Sequence, residues 1–138
     1  LMKTLTYIVV CLGMLTTSAL ASDVVAERKA NFKANAGAMR AMGGQMARDD
    51  FASIGAGANA IASWAAKMTS YFPEGSESIG ARNEIWSDFE TFTALAQKNQ
   101  DAALAIAMAA DAKDKAAIQQ AIQTLSGTCK SCHSRFKN

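Results

Sequence analysis

Four stretches of this chain repeat apolar residues at alternating intervals of three and four, the spacing that lays one apolar stripe along an α-helix. The clearest is Phe51, Ile54, Ala58, Ile61, Ala65, Met68 and Phe72, between the acidic pair Asp49-Asp50, which can cap its start, and Pro73 with Gly75, which end it. Upstream, Val24, Arg28, Phe32, Met39, Met42 and Met46 share a face of a helix expected to run from a cap at Asp23 to about Arg48, with Gly43-Gly44 softening its end. Downstream, Ile85, Phe89, Phe92 and Ala96 begin a third stripe, with Trp86 alongside, in a helix expected to reach about Ala110. The last helix carries Ile118, Ile122, Leu125, Cys129, Cys132 and Phe136. Residues 72–80 collect proline, glycine and serine and are read as the one long loop, and Asp111 to Asp114 as a short polar break. The fold class is all-α: four amphipathic helices joined by mostly short turns make an up-down-up-down antiparallel bundle.

Composition agrees. The 138 residues contain one proline and much alanine, and β-branched residues do not gather into alternating runs, so no strands are expected. The length suits a single domain after a leader. Residues 1–21 have the form of a secretory signal peptide: Lys3, an apolar run from Leu5 to Leu15, and the small-x-small sequence Ala19-Leu20-Ala21 before polar Ser22 and Asp23. The apolar run is short of the ~20 residues that span a bilayer, so a membrane anchor is disfavoured. Residues 22–138 are then the mature domain, directed to the periplasm. Cleavage removes Lys3 and leaves thirteen basic side chains facing twelve acidic ones. Such a chain lacks the concentrated basic patch that a phosphate backbone requires, so nucleic acid is excluded as a partner. No membrane partner is expected after cleavage.

Cleavage also removes Cys11, leaving Cys129 and Cys132. They stand in Cys129-Lys130-Ser131-Cys132-His133, the haem-attachment pattern Cys-x-x-Cys-His. On a helix, cysteines three apart project to one side, where their sulfurs can add to the two vinyl groups of a haem. His133, four residues after Cys129, points the same way and can bring an imidazole nitrogen to the iron as the axial metal ligand. A structural zinc site wants four nitrogen or sulfur ligands, and the mature chain offers three, so a carboxylate would have to serve. A thioredoxin-like pair is expected near a βαβ unit, which an all-helical chain lacks. A plain disulfide leaves the adjacent histidine unexplained. One covalently bound haem c is the cofactor these residues favour.

The chain resembles cytochrome c′, the class II cytochromes c, in which the attachment motif lies near the C-terminus of a four-helix bundle. The likeness rests on Arg28 and Phe32 in the first helix, Met-Arg-Ala-Met-Gly at 39–43, Glu84-Ile85-Trp86-Ser87-Asp88, and Gly127-Thr128-Cys129-Lys130-Ser131-Cys132-His133. The resemblance implies a high-spin haem with histidine on one side and an open second side blocked by a first-helix residue. By that match Phe32 is the distal residue and Arg28 pairs with a haem propionate, while Trp86 and Lys137 line the pocket. One departure stands on the proximal side. Where many members carry arginine four residues beyond the ligand histidine, this chain has Lys137, which keeps the charge and loses the planar fork; its arginine is Arg135. Phe136 stands where a tyrosine is common.

An apolar distal wall gives bound dioxygen no hydrogen-bond donor, whereas nitric oxide and carbon monoxide bind ferrous haem without one. The expected role is therefore capture of these diatomic gases, with electron passage to a redox partner protein as a coexisting one. The alternative is a low-spin electron carrier of the same class, with a first-helix methionine as sixth ligand; Phe32 occupies that place, and Met39 is two turns away on the same face. No enzyme is expected, because peroxidase chemistry wants acid and base groups above the iron and the only histidine already serves as ligand. The family also implies an antiparallel homodimer through the first two helices, for which Gly55, Gly57, Ala58 and Ala62 are the expected close-contact residues.

Overall fold

The computed structural model describes residues 15–138, with side chains from Leu20 onward. Most of the expected signal segment lies outside the described residues, and its last part, residues 15–21, continues into the first helix. Five helices follow in order: α1 (Leu15–Ala47), α2 (Phe51–Lys67), α3 (Glu84–Ser87), α4 (Phe89–Asp111) and α5 (Lys115–Phe136). With α3 and α4 as two pieces of one arm, they build the antiparallel four-helix bundle. No strand occurs among the described residues.

Both tight turns are built alike. After α1, Asp49 takes a positive φ of 56° and the Asp50 N–H bonds the Gln45 carbonyl; after α4, Lys113 takes 54° and the Asp114 N–H bonds the Ala109 carbonyl. Each positive-φ residue closes the last turn of one helix. The aspartate after it then starts the next, accepting from the Ser53 N–H at 3.1 Å in α2 and from the Ala117 N–H at 3.0 Å in α5. Turns this short leave only antiparallel neighbours as an outcome.

Three boundaries differ from the sequence expectation. Asp23 lies inside α1 rather than capping it, because the segment before it is helical too. The α geometry of α2 stops at Lys67, and a 3-10 turn over Met68–Tyr71 carries the chain to Pro73. The third arm breaks at Asp88, whose backbone leaves the helical region (φ −136°, ψ 53°) while its carboxylate accepts from the Thr91 N–H to start α4. That break turns Phe89 outward: it is 40% exposed, whereas Ile85 and Phe92 on either side are buried.

The core has two parts. At one end Met42, Ile54, Ala58, Ile61, Ala103, Ile106, Ile118 and Leu125 pack together with further alanines. At the other, Trp64, Met68, Phe72, Ile85, Phe92, Ala96 and Phe136 form an aromatic cluster, with Phe32, Tyr71, Trp86 and Cys132 packed against it. Around the bundle α1 packs on α2, α2 on α4 and α4 on α5, while α1 and α5 are not close neighbours. The seam between first and last helices is the wide one.

Gly55, Ala58 and Ala62, expected at a dimer face, are instead buried inside the bundle, and Gly57 faces Ala38 and Met42 of α1. Small size at these positions serves packing within the chain.

Candidate functional site

Cys132 and His133 of the attachment motif lie at the aromatic end, and Cys129 faces Asn99 of α4. Cys129 and Cys132 are half-buried free thiols on α5, and Cys132 packs against the aromatic cluster. Burial first, and Cys129 beside it second, push the Cys132 thiol up to about 11, so it keeps its proton near neutrality. Such a thiol is a poor thiolate nucleophile, which argues against a thioredoxin-like role. His133 follows on the same helix. Desolvation, and then the charge of Lys137, lower its pKa, favouring the neutral imidazole whose nitrogen lone pair a metal needs.

Across the seam stands Phe32 of α1. Its ring centroid is 6.5 Å from that of His133, at 71° between planes, so the expected distal residue and the expected ligand do face one another. Behind Phe32, Trp64 of α2 meets it edge-on at 5.7 Å and Tyr71 packs on Trp64 at 5.0 Å. Neither Trp64 nor Tyr71 was anticipated from the motif. Yet Trp64 stands three residues after Ile61 and four before Met68, beside the stripe already read on α2.

Arg28, one turn before Phe32, is 2% exposed and wholly engaged by the loop. One terminal nitrogen donates to the Tyr71 carbonyl at 3.0 Å and to Ser76 Oγ at 2.9 Å; the other donates to the Ser76 carbonyl at 2.6 Å and to Ser78 Oγ at 3.2 Å. Its guanidinium also lies 4.2 Å from the Phe72 ring centroid. Burial disfavours its charge and Glu77 supports it. Trp86 works from the other side, its indole N–H donating to the Phe72 and Pro73 carbonyls at 3.0 and 3.1 Å. Two side chains thus pin residues 71–78, which hold Phe72 in the cluster. Lys137 is exposed at the end of α5, its N–H on the His133 carbonyl and its backbone bridged to Ala81.

Met39 is placed elsewhere. It packs against the alanine-rich core with Met42 and Ile54, not against the cluster that holds Phe32 and Cys132.

The arrangement suits a large flat ring better than a point ion. Among the described residues no three histidine, cysteine, aspartate or glutamate side chains converge where they could hold a metal ion. A haem needs its two sulfurs and its imidazole spread along one edge and one face, as a single helix turn presents them. The indole N–H of Trp64 is a further sign: buried with no hydrogen-bond partner, it is a donor lacking an acceptor beside the ring that faces His133. Buried polar groups are almost always paired, and an acid-bearing cofactor is one source of the missing acceptor.

Comparison with known proteins agrees with this geometry. The profile of one family, described as cytochrome C′, matches residues 23–137. The chain is 40% identical to cytochrome c′ of Rhodospirillum rubrum over 141 aligned positions, covering 94% of this chain and 95% of the relative. It is 34% identical over 122 positions to cytochrome c′ of Rhodopseudomonas palustris, covering 84% and 82%. Among solved structures, a nitric oxide complex of a mutant of cytochrome c prime from Alcaligenes xylosoxidans is similar with a TM-score of 0.77 at 28% identity, covering 86% of this chain and 95% of that one. A cytochrome c′ from Thermochromatium tepidum shares the fold with a TM-score of 0.77.

Proposed function

The chain belongs to the cytochrome c′ family, and from that premise we propose that it is a periplasmic haem protein that captures nitric oxide and carbon monoxide on a five-coordinate, high-spin iron. Its cofactor is haem c. When bound, that group supplies a ferrous iron able to take a diatomic gas and to exchange one electron with a redox partner protein.

The residues divide the work. Cys129 and Cys132 would hold the ring through thioether links and His133 would give a nitrogen to the iron, its neutral form favoured by desolvation and then by the charge of Lys137. Phe32 forms the opposite wall. A phenyl ring carries no donor, so this wall favours gases that bind ferrous iron unaided over dioxygen, which needs a hydrogen bond. Arg28 and Trp86 act through the loop, pinning residues 71–78 and with them Phe72. Lys137 contributes charge beside His133 without the fork an arginine would bring.

One observation carries the choice between gas binding and the low-spin carrier: Phe32, and not a methionine, is the ring that faces His133, while Met39 packs in the other core. No helix among the described residues is long and apolar enough to cross a membrane.

Absorption spectra of the purified protein, oxidised and reduced, test this reading. A broad high-spin spectrum that responds to nitric oxide and carbon monoxide is expected. A stable response of the reduced protein to dioxygen, or none to nitric oxide, overturns it, and a methionine-ligation band in the oxidised spectrum would establish the carrier instead.

A further inference from the structure

The inward positions of α4 run Phe92, Ala96, Asn99, Ala103, Ile106 and Ala110, alternating four and three. Five are apolar and buried; Asn99 is the half-buried polar exception. A polar amide on an inward stripe costs stability, and such residues persist where their partners are specific. Here the partners lie on α5. The Asn99 side-chain nitrogen donates to Thr128 Oγ1 at 2.9 Å and to Cys129 Sγ at 3.6 Å. Thr128 in turn donates its hydroxyl proton to the Leu125 carbonyl at 2.7 Å.

That relay fixes which end of the amide faces α5. The only hydroxyl proton of Thr128 is already given to Leu125, so its oxygen must accept, and the amide must present its NH2 group there. The same NH2 group has a second hydrogen, and the Cys129 sulfur is its neighbour.

We infer that Asn99 is a positioning residue for the haem link at Cys129: it aims the sulfur before attachment and remains hydrogen-bonded to it afterwards. The inference rests on the haem reading above. In attachment the thiol adds across a vinyl group: the S–H bond breaks, sulfur bonds one vinyl carbon, and the hydrogen goes to the other, with no net oxidation. The resulting thioether has no proton and can only accept, which matches the NH2 end of Asn99 and would not match a carboxylate. An N–H directed at that sulfur draws electron density from the edge of the ring and so favours reduced iron, as partners beyond the direct ligands do at other metal centres.

The test uses holoprotein produced in a host that matures c-type cytochromes, as wild type and as Asn99→Leu, Asn99→Asp, Asn99→Gln and Thr128→Val. Three quantities are read: the reduction potential, the fraction of chains linked at Cys132 but not at Cys129 by peptide mass, and the Tm. Asn99→Leu and Asn99→Asp should lower the potential and raise the singly linked fraction, and Asn99→Gln should restore part of both. Thr128→Val, which cuts the relay but spares the amide, should lower the Tm with less change in potential. If Asn99→Leu lowers the Tm while potential and linkage stay at wild-type values, Asn99 only sets the register of α4 on α5 and the inference is wrong. Should the leucine variant not accumulate, Asn99→Asp, of nearly the same size, decides by the same two readouts. A wild-type chain with the mass of the bare polypeptide would overturn the haem reading itself, a result distinct from loaded but unaltered variants.

Discussion

The two ends of this bundle are packed on different principles. At the alanine end, Ala58, Ala62, Ala103 and Ala107 let the helices approach closely, with isoleucines filling between them, and Ile54, Ile106 and Ile118 are wholly buried. At the other end rings do the filling: Phe72 lies 4.8 Å from Phe92, and Phe92 lies 5.4 Å from Phe136. Small residues give a core complete within the chain. At this end Phe32 of α1 meets His133 of α5 across the seam. One end is thus packed by small aliphatic side chains, and the other by rings gathered beside Cys132.

This contrast is open to breaking. The largest effect expected is from Cys129→Ala with Cys132→Ala: covalent haem should be lost completely, leaving the mass of the bare chain, while the alanine end stays helical by circular dichroism. Phe92→Ala should come next, costing about 4 kcal/mol in denaturant unfolding and also perturbing the visible spectrum, since this ring touches the cluster that holds Cys132. Ile106→Ala should cost about 3 kcal/mol and leave that spectrum unchanged. A spectrum altered equally by both would show that the two ends are not separate. Gly55→Ala should stabilise the protein by about 0.5–1 kcal/mol, because a new Cβ would meet the Ala110 Cβ at 3.8 Å, an ordinary contact, and the helix loses a glycine.

The smallest effects belong to the half-buried caps, one at each end. Hydrogen bonds from Ser53 hold the Asp50 carboxyl below the usual carboxylate range, and a hydrogen bond from Thr91, with Arg135 nearby, does so for Asp88. Both groups are therefore lower in the folded chain than in the unfolded one. Their stabilisation is complete above the ordinary carboxylate pKa and disappears as the pH falls through the depressed folded values. Asp50→Asn and Asp88→Asn should each flatten the acid limb of a stability-against-pH curve. Raising the salt concentration should weaken the Asp88 contribution further, because that cap is also ion-paired with Arg135.

Much of this was legible in one dimension because its causes are local. The stripe from Phe51 to Phe72 marked α2, and Asp50 caps it through a residue three positions away. Cys129, Cys132 and His133 share a helix turn, so their spacing carried their geometry. The break at Asp88 was not legible: Glu84 to Ala96 reads as one uninterrupted stripe, and the kink depends on Asp88 choosing Thr91 over helix continuation. The protein partners of Arg28 were not legible either, since the groups that take its hydrogens lie 43 to 50 residues downstream. Asn99 sat in plain view on its stripe, and its meaning came only with Thr128 and Cys129 opposite.

Sequence alone therefore determined the four helical arms, their antiparallel order and the placing of Cys129, Cys132 and His133 together on α5, since periodicity, caps and a five-residue motif act over a few residues of chain. The tertiary structure decided which side chains stand behind Phe32, where Met39 is placed, and which protein groups Arg28 and Asn99 hold. Those outcomes depend on how far apart two helices stand after all side chains between them are packed, and no local pattern encodes that distance.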